Sequence, residues 1–140
     1  MSKTKRPLSC KIERQVAFYD LDPLQIVWHG NYFNYFEDAR RALFAQRGID
    51  FNEFARRTGY SFPIIKTSTR HVCPLRYEDV FICKATLAEA RTTLVVDFEI
   101  RLKGNGTLCT VGRTEQVAVK APEMEMMLFI PEEIRSAVGY

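Results

Sequence analysis

An aspartate and a predicted helix start lie close together near the beginning of this sequence. Asp22 follows a strand-like run and precedes Pro23, and a His-Gly-Asn break at residues 29–31 leads into an aromatic segment with helical spacing. The first backbone N–H groups of a helix lack partners within it, so they can hold an anion or a developing oxyanion. A carboxylate beside such groups is the equipment of acyl transfer or hydrolysis.

The same residues also have simpler interpretations. An aspartate before proline often bonds its own backbone in a turn, and on residues alone that interpretation of Asp22 is the stronger one. Asp20 is expected to be solvated and structural. His29 either acts as an acid or packs against Trp28 or Tyr32.

The motifs of this region extend along the predicted helix. In order they are Asp22-Pro23, Ile26-Val27-Trp28-His29, Asn31-Tyr32 and Glu37-Asp38-Ala39-Arg40. The stretch from Phe18 to Gly48 that contains them resembles the hotdog-fold acyl-CoA thioesterases of the 4-hydroxybenzoyl-CoA thioesterase and YbgC group. Weaker similarity continues through residues 77–80 and 130–132.

The resemblance implies a hotdog fold, an antiparallel sheet wrapped around one long helix. The chain length fits one such α+β domain over residues 1–140, and residues 1–9 are expected to form a flexible arm. The resemblance also implies hydrolysis of an acyl-CoA thioester to free acid and coenzyme A, without a metal or another cofactor. The alternatives are action on acyl carrier protein thioesters, or a hotdog module that binds acyl-CoA without cleaving it. Such domains pair as homodimers or homotetramers, with sites across the interface.

The resemblance also assigns catalytic roles. Asp22 attacks the thioester carbonyl as a nucleophile or activates water as a general base, and the sequence does not choose between them. The backbone N–H of His29, with that of Gly30 as a second candidate, polarises the carbonyl. The His29 side chain is a secondary acid or a wall of the pocket.

Three further residues are candidates for substrate binding. Tyr32 lines the acyl pocket or packs in the core, the latter being favoured. Gln25 stands where relatives often carry glycine, and it either narrows the acyl entrance, bonds the attacking water or points to solvent. Arg91 meets the phosphates of coenzyme A or is a solvated surface arginine. Glu37, in contrast, is expected to form a structural ion pair with Arg40 or Arg41.

Composition narrows the class of protein. The chain has 140 residues, of which 46% are hydrophobic, so it can bury a core in one domain. A net charge of +3 with mixed signs argues against a nucleic-acid partner. No run approaches the ~20 apolar residues of a membrane span, and the default location is the cytoplasm. The four cysteines lack metal-site spacing, so we expect reduced, buried thiols and no zinc.

Hydrophobic periodicity places the elements. We predict a strand from Ile12 to Tyr19 that Pro23 ends, then a helix over residues 31–47 with Asn31 as its N-cap and Gly48 as its stop. A short helix or loop follows at 50–61. Strands are predicted over 64–73, 80–88 and 94–102, the last forming a hairpin with 108–119. An extended run at 124–130 precedes a short terminal helix that Pro131 opens. Apolar positions such as Val95 on the uncovered sheet face predict an oligomer.

Overall fold

The computed structural model describes residues 6–140 as a sheet wrapped around one helix. The main antiparallel sheet has the order β1-β4-β5-β6-β3. Its strands are β1 (Ser9–Gln15), β3 (Ile64–His71), β4 (Val80–Glu89), β5 (Leu94–Leu102) and β6 (Leu108–Gln116). A smaller sheet joins β2 (Tyr60–Ser61), β7 (Val119–Lys120) and β8 (Glu125–Met126). The helices are α1 (Asn31–Ala45), α2 (Phe51–Thr58) and α3 (Glu132–Val138). The predicted α+β class is confirmed.

Helix α1 crosses one face of the sheet and supplies the centre of the core. Its 15 residues span about 22 Å. The apolar stripe predicted from the sequence is buried, including Tyr32, Phe36, Ala39 and Leu43. Phe36 stacks on Phe98 of β5, with ring centroids 4.5 Å apart. The helix is therefore fixed to the sheet by its aromatic face, which also fixes the position of its first turn.

The ends of α1 differ in how well they were predicted. Gly48 lies in the left-handed region with φ of +71°, so the predicted stop is confirmed. The prediction of Asn31 as N-cap is wrong, because Asn31 is the first helical residue and its side-chain amide donates to the carbonyl of Asp20 at 2.9 Å. Asn31 therefore ties the helix start to the preceding segment.

The first strand ends earlier than predicted. Strand β1 stops at Gln15, and Phe18–Asp20 form a single turn of 3₁₀ helix. The Asp20 carboxylate accepts hydrogen bonds from the Ala17 N–H at 3.1 Å and the Tyr35 hydroxyl at 2.9 Å. Asp20 is therefore structural, as predicted, but it is half-buried and bonded rather than solvated. Burial, and then Asp20, raise the pKa of Tyr35.

The predicted N-terminal arm overlaps the sheet at its end. Residues 1–5 of that arm lie outside the described residues. The carbonyl of Leu8 accepts a hydrogen bond from the Leu87 N–H at 2.8 Å, and Ser9 already pairs with Thr86 of β4. The end of the predicted arm is thus part of the structured domain.

The remaining elements follow the sequence with one exception. Asp50 caps α2 and Gly59 ends it, and β5 and β6 form the predicted hairpin. The prediction of an extended run at 124–130 is wrong except at Glu125–Met126, because within 124–130 only these two residues pair with a strand. None of the helices within residues 6–140 is long and apolar enough to cross a membrane.

The sheet face opposite α1 is mainly polar. Charged and hydroxyl side chains cover its middle, namely Lys84, Thr86, Asp97, Glu99 and Arg113. Val95 is only 7% exposed within the single chain. The expectation that Val95 marks an uncovered apolar face is therefore wrong, and an oligomer needs a different physical argument.

Candidate active site

Asp22 sits in a tight turn between the 3₁₀ turn at Phe18–Asp20 and the start of α1. The Asp22 N–H donates to the carbonyl of Ile26 at 2.8 Å, and the Gln25 N–H donates to the carbonyl of Asp22 at 2.9 Å. The Oδ1 atom of Asp22 accepts from the Leu24 N–H at 2.7 Å. Its Oδ2 atom has no hydrogen-bond partner among residues 6–140. One carboxylate oxygen therefore holds the turn, and the other is free for chemistry.

The backbone of Gln25 explains why this position suits glycine. Gln25 has φ of +64°, which puts a residue with a Cβ in the left-handed region. Its side chain is exposed and does not line the cavity that contains Asp22. The placement favours the solvent-facing alternative for Gln25.

Replacement of Gln25 by glycine is expected to stabilise the turn. Glycine removes the left-handed penalty but adds unfolded-state entropy, so Gln25→Gly raises the free energy of unfolding by about 0.5–1 kcal/mol. Gln25→Ala, which keeps the Cβ, gives no such gain. Urea unfolding of the three proteins measures this. Equal stability of Gln25→Gly and Gln25→Ala would contradict the backbone explanation.

The start of α1 presents free backbone donors. The Trp28 N–H donates to the carbonyl of Asp20, and the Asn31 N–H donates to the carbonyl of Trp28, both at 2.9 Å. The N–H groups of His29 and Gly30 have no partner in the described part of the chain. A Cβ on Gly30 would lie 2.3 Å from the Trp28 indole, so a side chain here would displace Trp28. The close approach of Trp28 therefore requires glycine beside these donors.

One cavity brings the predicted catalytic side chains together. It has a volume of about 390 Å³, and Asp22, His29 and Tyr32 line it together with His71 and Cys73. The rest of its wall is apolar: Leu24, Ile26, Val27, Val72 and Pro74. The cavity therefore combines a carboxylate and two imidazoles with room for an apolar group.

Tyr32 lies in the core and also lines this cavity. It is 3% exposed, and its hydroxyl accepts a hydrogen bond from the Leu75 N–H at 3.3 Å. Its ring centroid lies 4.5 Å from that of His71. Tyr32 is thus a core residue whose ring forms part of the cavity wall.

Comparison with known proteins identifies the family. The profile of the thioesterase-like superfamily matches residues 16–138. The chain belongs to the thioesterase-like superfamily. A 4-hydroxybenzoyl-CoA thioesterase from Pseudomonas sp. (strain CBS-3) is 25% identical over 120 residues, which cover 84% of this chain and 82% of the relative. The predictions of this family and of a thioester hydrolase are confirmed.

Solved structures confirm the fold of this thioesterase-like chain. A 1,4-dihydroxy-2-naphthoyl-CoA thioesterase from Synechocystis superposes with a TM-score of 0.85 at 18% identity, covering 93% of this chain and 95% of that one. A hypothetical protein from Aquifex aeolicus gives 0.79 at 27% identity, covering 91% and 98%. The predicted hotdog fold is therefore confirmed.

Arg91 of this thioesterase-like chain is not brought to the cavity. Ile26, in the loop of Asp22, forms a β-bridge with Arg76, which lies just before the start of β4. Arg91 instead follows the end of that strand. The ten residues of β4 separate these ends by about 30 Å. The backbone N–H of Arg91 instead donates to the Glu89 carboxylate at 2.7 Å. Within one chain, Arg91 and Asp22 do not share a site.

Glu37 forms the predicted ion pair. Its carboxylate contacts the guanidinium of Arg40, which is 5% exposed and also donates to the Thr114 hydroxyl at 3.1 Å. Burial lowers the pKa of Arg40, although Glu37 opposes that effect. Glu37 does not line the cavity of Asp22.

The four cysteines are free, as predicted, but only two are buried. Cys83 and Cys109 are buried, and Cys10 and Cys73 are half-buried. Burial raises the pKa of Cys83 to about 12 and that of Cys109 to about 11. Both of these thiols stay protonated at neutral pH, so they are poor nucleophiles.

His71 and Cys73 are cavity residues that the sequence did not single out. Both lie at the end of β3, far along the chain from Asp22. His71 is one of only two histidines in the protein. Its rarity and its position at a strand end, shortly before a proline, were the available signals.

Proposed function

We propose that this protein is an acyl-CoA thioesterase that hydrolyses its substrate to free acid and coenzyme A. The observation that carries the proposal is the free Oδ2 of Asp22 in a cavity beside unpaired backbone donors at the start of α1. The named activities of the Pseudomonas relative and the Synechocystis structure support it. Acyl carrier protein thioesters remain the alternative substrates, and a non-catalytic acyl-CoA-binding module is the alternative function.

In the proposed mechanism the backbone donors and the Asp22 carboxylate act on the same thioester carbonyl. The N–H groups of His29 and Gly30 donate to the thioester oxygen and stabilise the negative charge that develops there. Asp22 either attacks the carbon, giving a mixed anhydride that water hydrolyses, or takes a proton from an attacking water. Coenzyme A leaves as a thiolate in both routes. In this proposal the His29 side chain, which lines the cavity, protonates the thiolate.

Turnover of a panel of acyl-CoA esters tests this function. The panel contains aryl and short aliphatic acyl groups, since the cavity walls suit both, and the released thiol is measured. We expect at least one ester to reach kcat/KM of about 10⁴ M⁻¹s⁻¹ or more, within the ordinary enzyme range. Matched acyl carrier protein thioesters identify the carrier. Tight binding of the esters without thiol release would establish the binding module instead.

We propose further that the protein is a homodimer or homotetramer in which Arg91 reaches the substrate phosphates only from a second chain. The support is strand β3, which pairs with β6 on one side and has all eight residues exposed. Its other edge has no strand partner within residues 6–140. Unpaired backbone groups along such an edge are a template for pairing with another chain.

Light scattering after size exclusion is expected to give at least twice the chain mass of 16.2 kDa at micromolar concentration. Thr67→Pro on β3 removes a backbone donor from this edge and should shift the mass toward one chain. Thr67→Val, which changes the same side chain and keeps the backbone donor, is the control. A wild-type monomer would contradict the oligomer and any role for Arg91.

We also propose a cytoplasmic location for the protein. The free thiols support it, since cysteines stay reduced in the cytoplasm.

A further inference from the structure

One buried hydroxyl group lies behind the imidazole of His71. The Thr110 Oγ1 atom lies 3.1 Å from Nδ1 of His71, and Thr110 is fully buried. His71 lines the cavity of Asp22, whereas Thr110 does not.

The burial of Thr110 sets the direction of this hydrogen bond. Nδ1 of His71 is the one hydrogen-bond partner of the Thr110 hydroxyl among residues 6–140. If Nδ1 donated to Thr110, the buried Thr110 proton would have no acceptor, which is unfavourable. Nδ1 is therefore an acceptor, and the proton of the neutral ring is on Nε2.

We propose that His71 is a specificity-determining residue whose Nε2–H donates a hydrogen bond to the acyl group, and that Thr110 is the positioning residue that fixes this tautomer. The inference rests on the proposed thioesterase function. It predicts that the preferred acyl groups are largely apolar and carry a hydrogen-bond acceptor that reaches His71.

The surroundings of His71 fit this role. Nε2 has no hydrogen-bond partner in the described part of the chain, and most of the cavity wall is apolar, so few other groups can select a polar ligand atom. The titratable groups that share the cavity are Asp22, His29, Tyr32 and Cys73. Partial burial, and then the nearby His29, lower the pKa of His71. The neutral ring is therefore the main form at neutral pH.

Nitrogen NMR of the free protein tests the tautomer without any substrate. We expect the ¹⁵N shifts and ring-proton couplings of His71 at pH 7.5 to show a proton on Nε2 and none on Nδ1. Thr110→Val, which keeps the shape and removes the hydroxyl, should give a mixture of the two tautomers. Cys73→Ala, in the same cavity, should leave the wild-type pattern. A proton on Nδ1 in the wild type would overturn the proposal.

Pairs of substrates with nearly equal shape test whether His71 selects the acyl group. Methoxybenzoyl-CoA and ethylbenzoyl-CoA have nearly equal shape, but only the methoxy oxygen accepts a hydrogen bond. With the substituent at the 2, 3 and 4 positions, we expect kcat/KM to favour methoxy about five- to tenfold for at least one position. His71→Phe, which keeps a ring against Tyr32, should abolish the preference, and Thr110→Val should weaken it. Equal rates for every wild-type pair would overturn the proposal.

The proposed role of His71 can be tested separately from the proposed thioesterase function. If no ester is hydrolysed, the proposed function fails, and the same pairs are then compared by their dissociation constants in calorimetry. A methoxy preference that His71→Phe removes would uphold the role of His71 in a binding protein. An equal affinity for both members of each pair, or a preference that survives His71→Phe, would overturn it.

Discussion

Asp22→Asn is expected to lower kcat/KM for thioester hydrolysis by about 10²–10⁴-fold while leaving stability unchanged. The amide oxygen of asparagine can still accept the hydrogen bond from the Leu24 N–H that holds the turn. The substitution removes only the negative charge and basicity of the free oxygen. Thiol release and thermal unfolding, measured on the same preparations, separate the two effects.

Two control variants sharpen this test. Asp22→Ala also removes the bond to Leu24, so it should lose the same activity and in addition up to about 1 kcal/mol of stability. Asp20→Asn weakens the hydrogen bonds to Ala17 and Tyr35, so it should lower the free energy of unfolding and have a smaller effect on kcat/KM. An Asp22→Asn enzyme within a few-fold of the wild type would show that Asp22 is neither nucleophile nor base.

Phe36→Ala is expected to lower the free energy of unfolding by about 3–5 kcal/mol. Phe36 is 1% exposed and stacks on Phe98 between α1 and the sheet, so truncation leaves a cavity in the centre of the core. Phe33 lies on the same helix, is 39% exposed and serves as the matched control. Its truncation should cost less than about 1 kcal/mol. Urea unfolding measures both, and similar costs would contradict this account of the core.

Gly112 provides a second check on the position of Phe36. A Cβ on Gly112 would lie 2.6 Å from the Phe36 ring and 3.2 Å from the carbonyl of Ser68. Gly112→Ala alone should therefore cost about 1–3 kcal/mol. In the Phe36→Ala protein, the added methyl group enters vacant space, so the double variant should be more stable than the sum of the two costs predicts.

The elements with strong periodicity were predictable from the sequence. Helix α1 carries apolar residues at helical spacing and strand β5 alternates apolar with polar residues, and both formed close to their predicted bounds. The segment Phe18–Asp20 was not predictable as a helical turn, because the Asp20 carboxylate bonds Tyr35 of a later element. The prediction for Val95 was wrong for a related reason. Alternation along β5 assigns Val95 to a face of the sheet but does not say whether other segments cover that face.

The site was predictable only where it is local in sequence. Asp22, His29 and Gly30 lie in one short loop before α1, so motif and helix start together located them. His71 reaches the same cavity through the pairing of β3 with β6, which the spacing of residues does not reveal. The distance between Arg91 and this cavity within one chain was likewise not predictable, since the sequence pattern does not show how far β4 separates Arg91 from the loop.

A structure of the Asp22→Asn variant with a slowly hydrolysed acyl-CoA ester tests the central claim most directly. The decisive measurement is the distance from the thioester carbonyl oxygen to the N–H groups at the start of α1. We predict about 2.7–3.1 Å to the nitrogen of His29 or Gly30, with the carbonyl carbon next to the side chain at position 22. A thioester bound away from these donors, with its carbonyl facing solvent, would contradict the proposed mechanism.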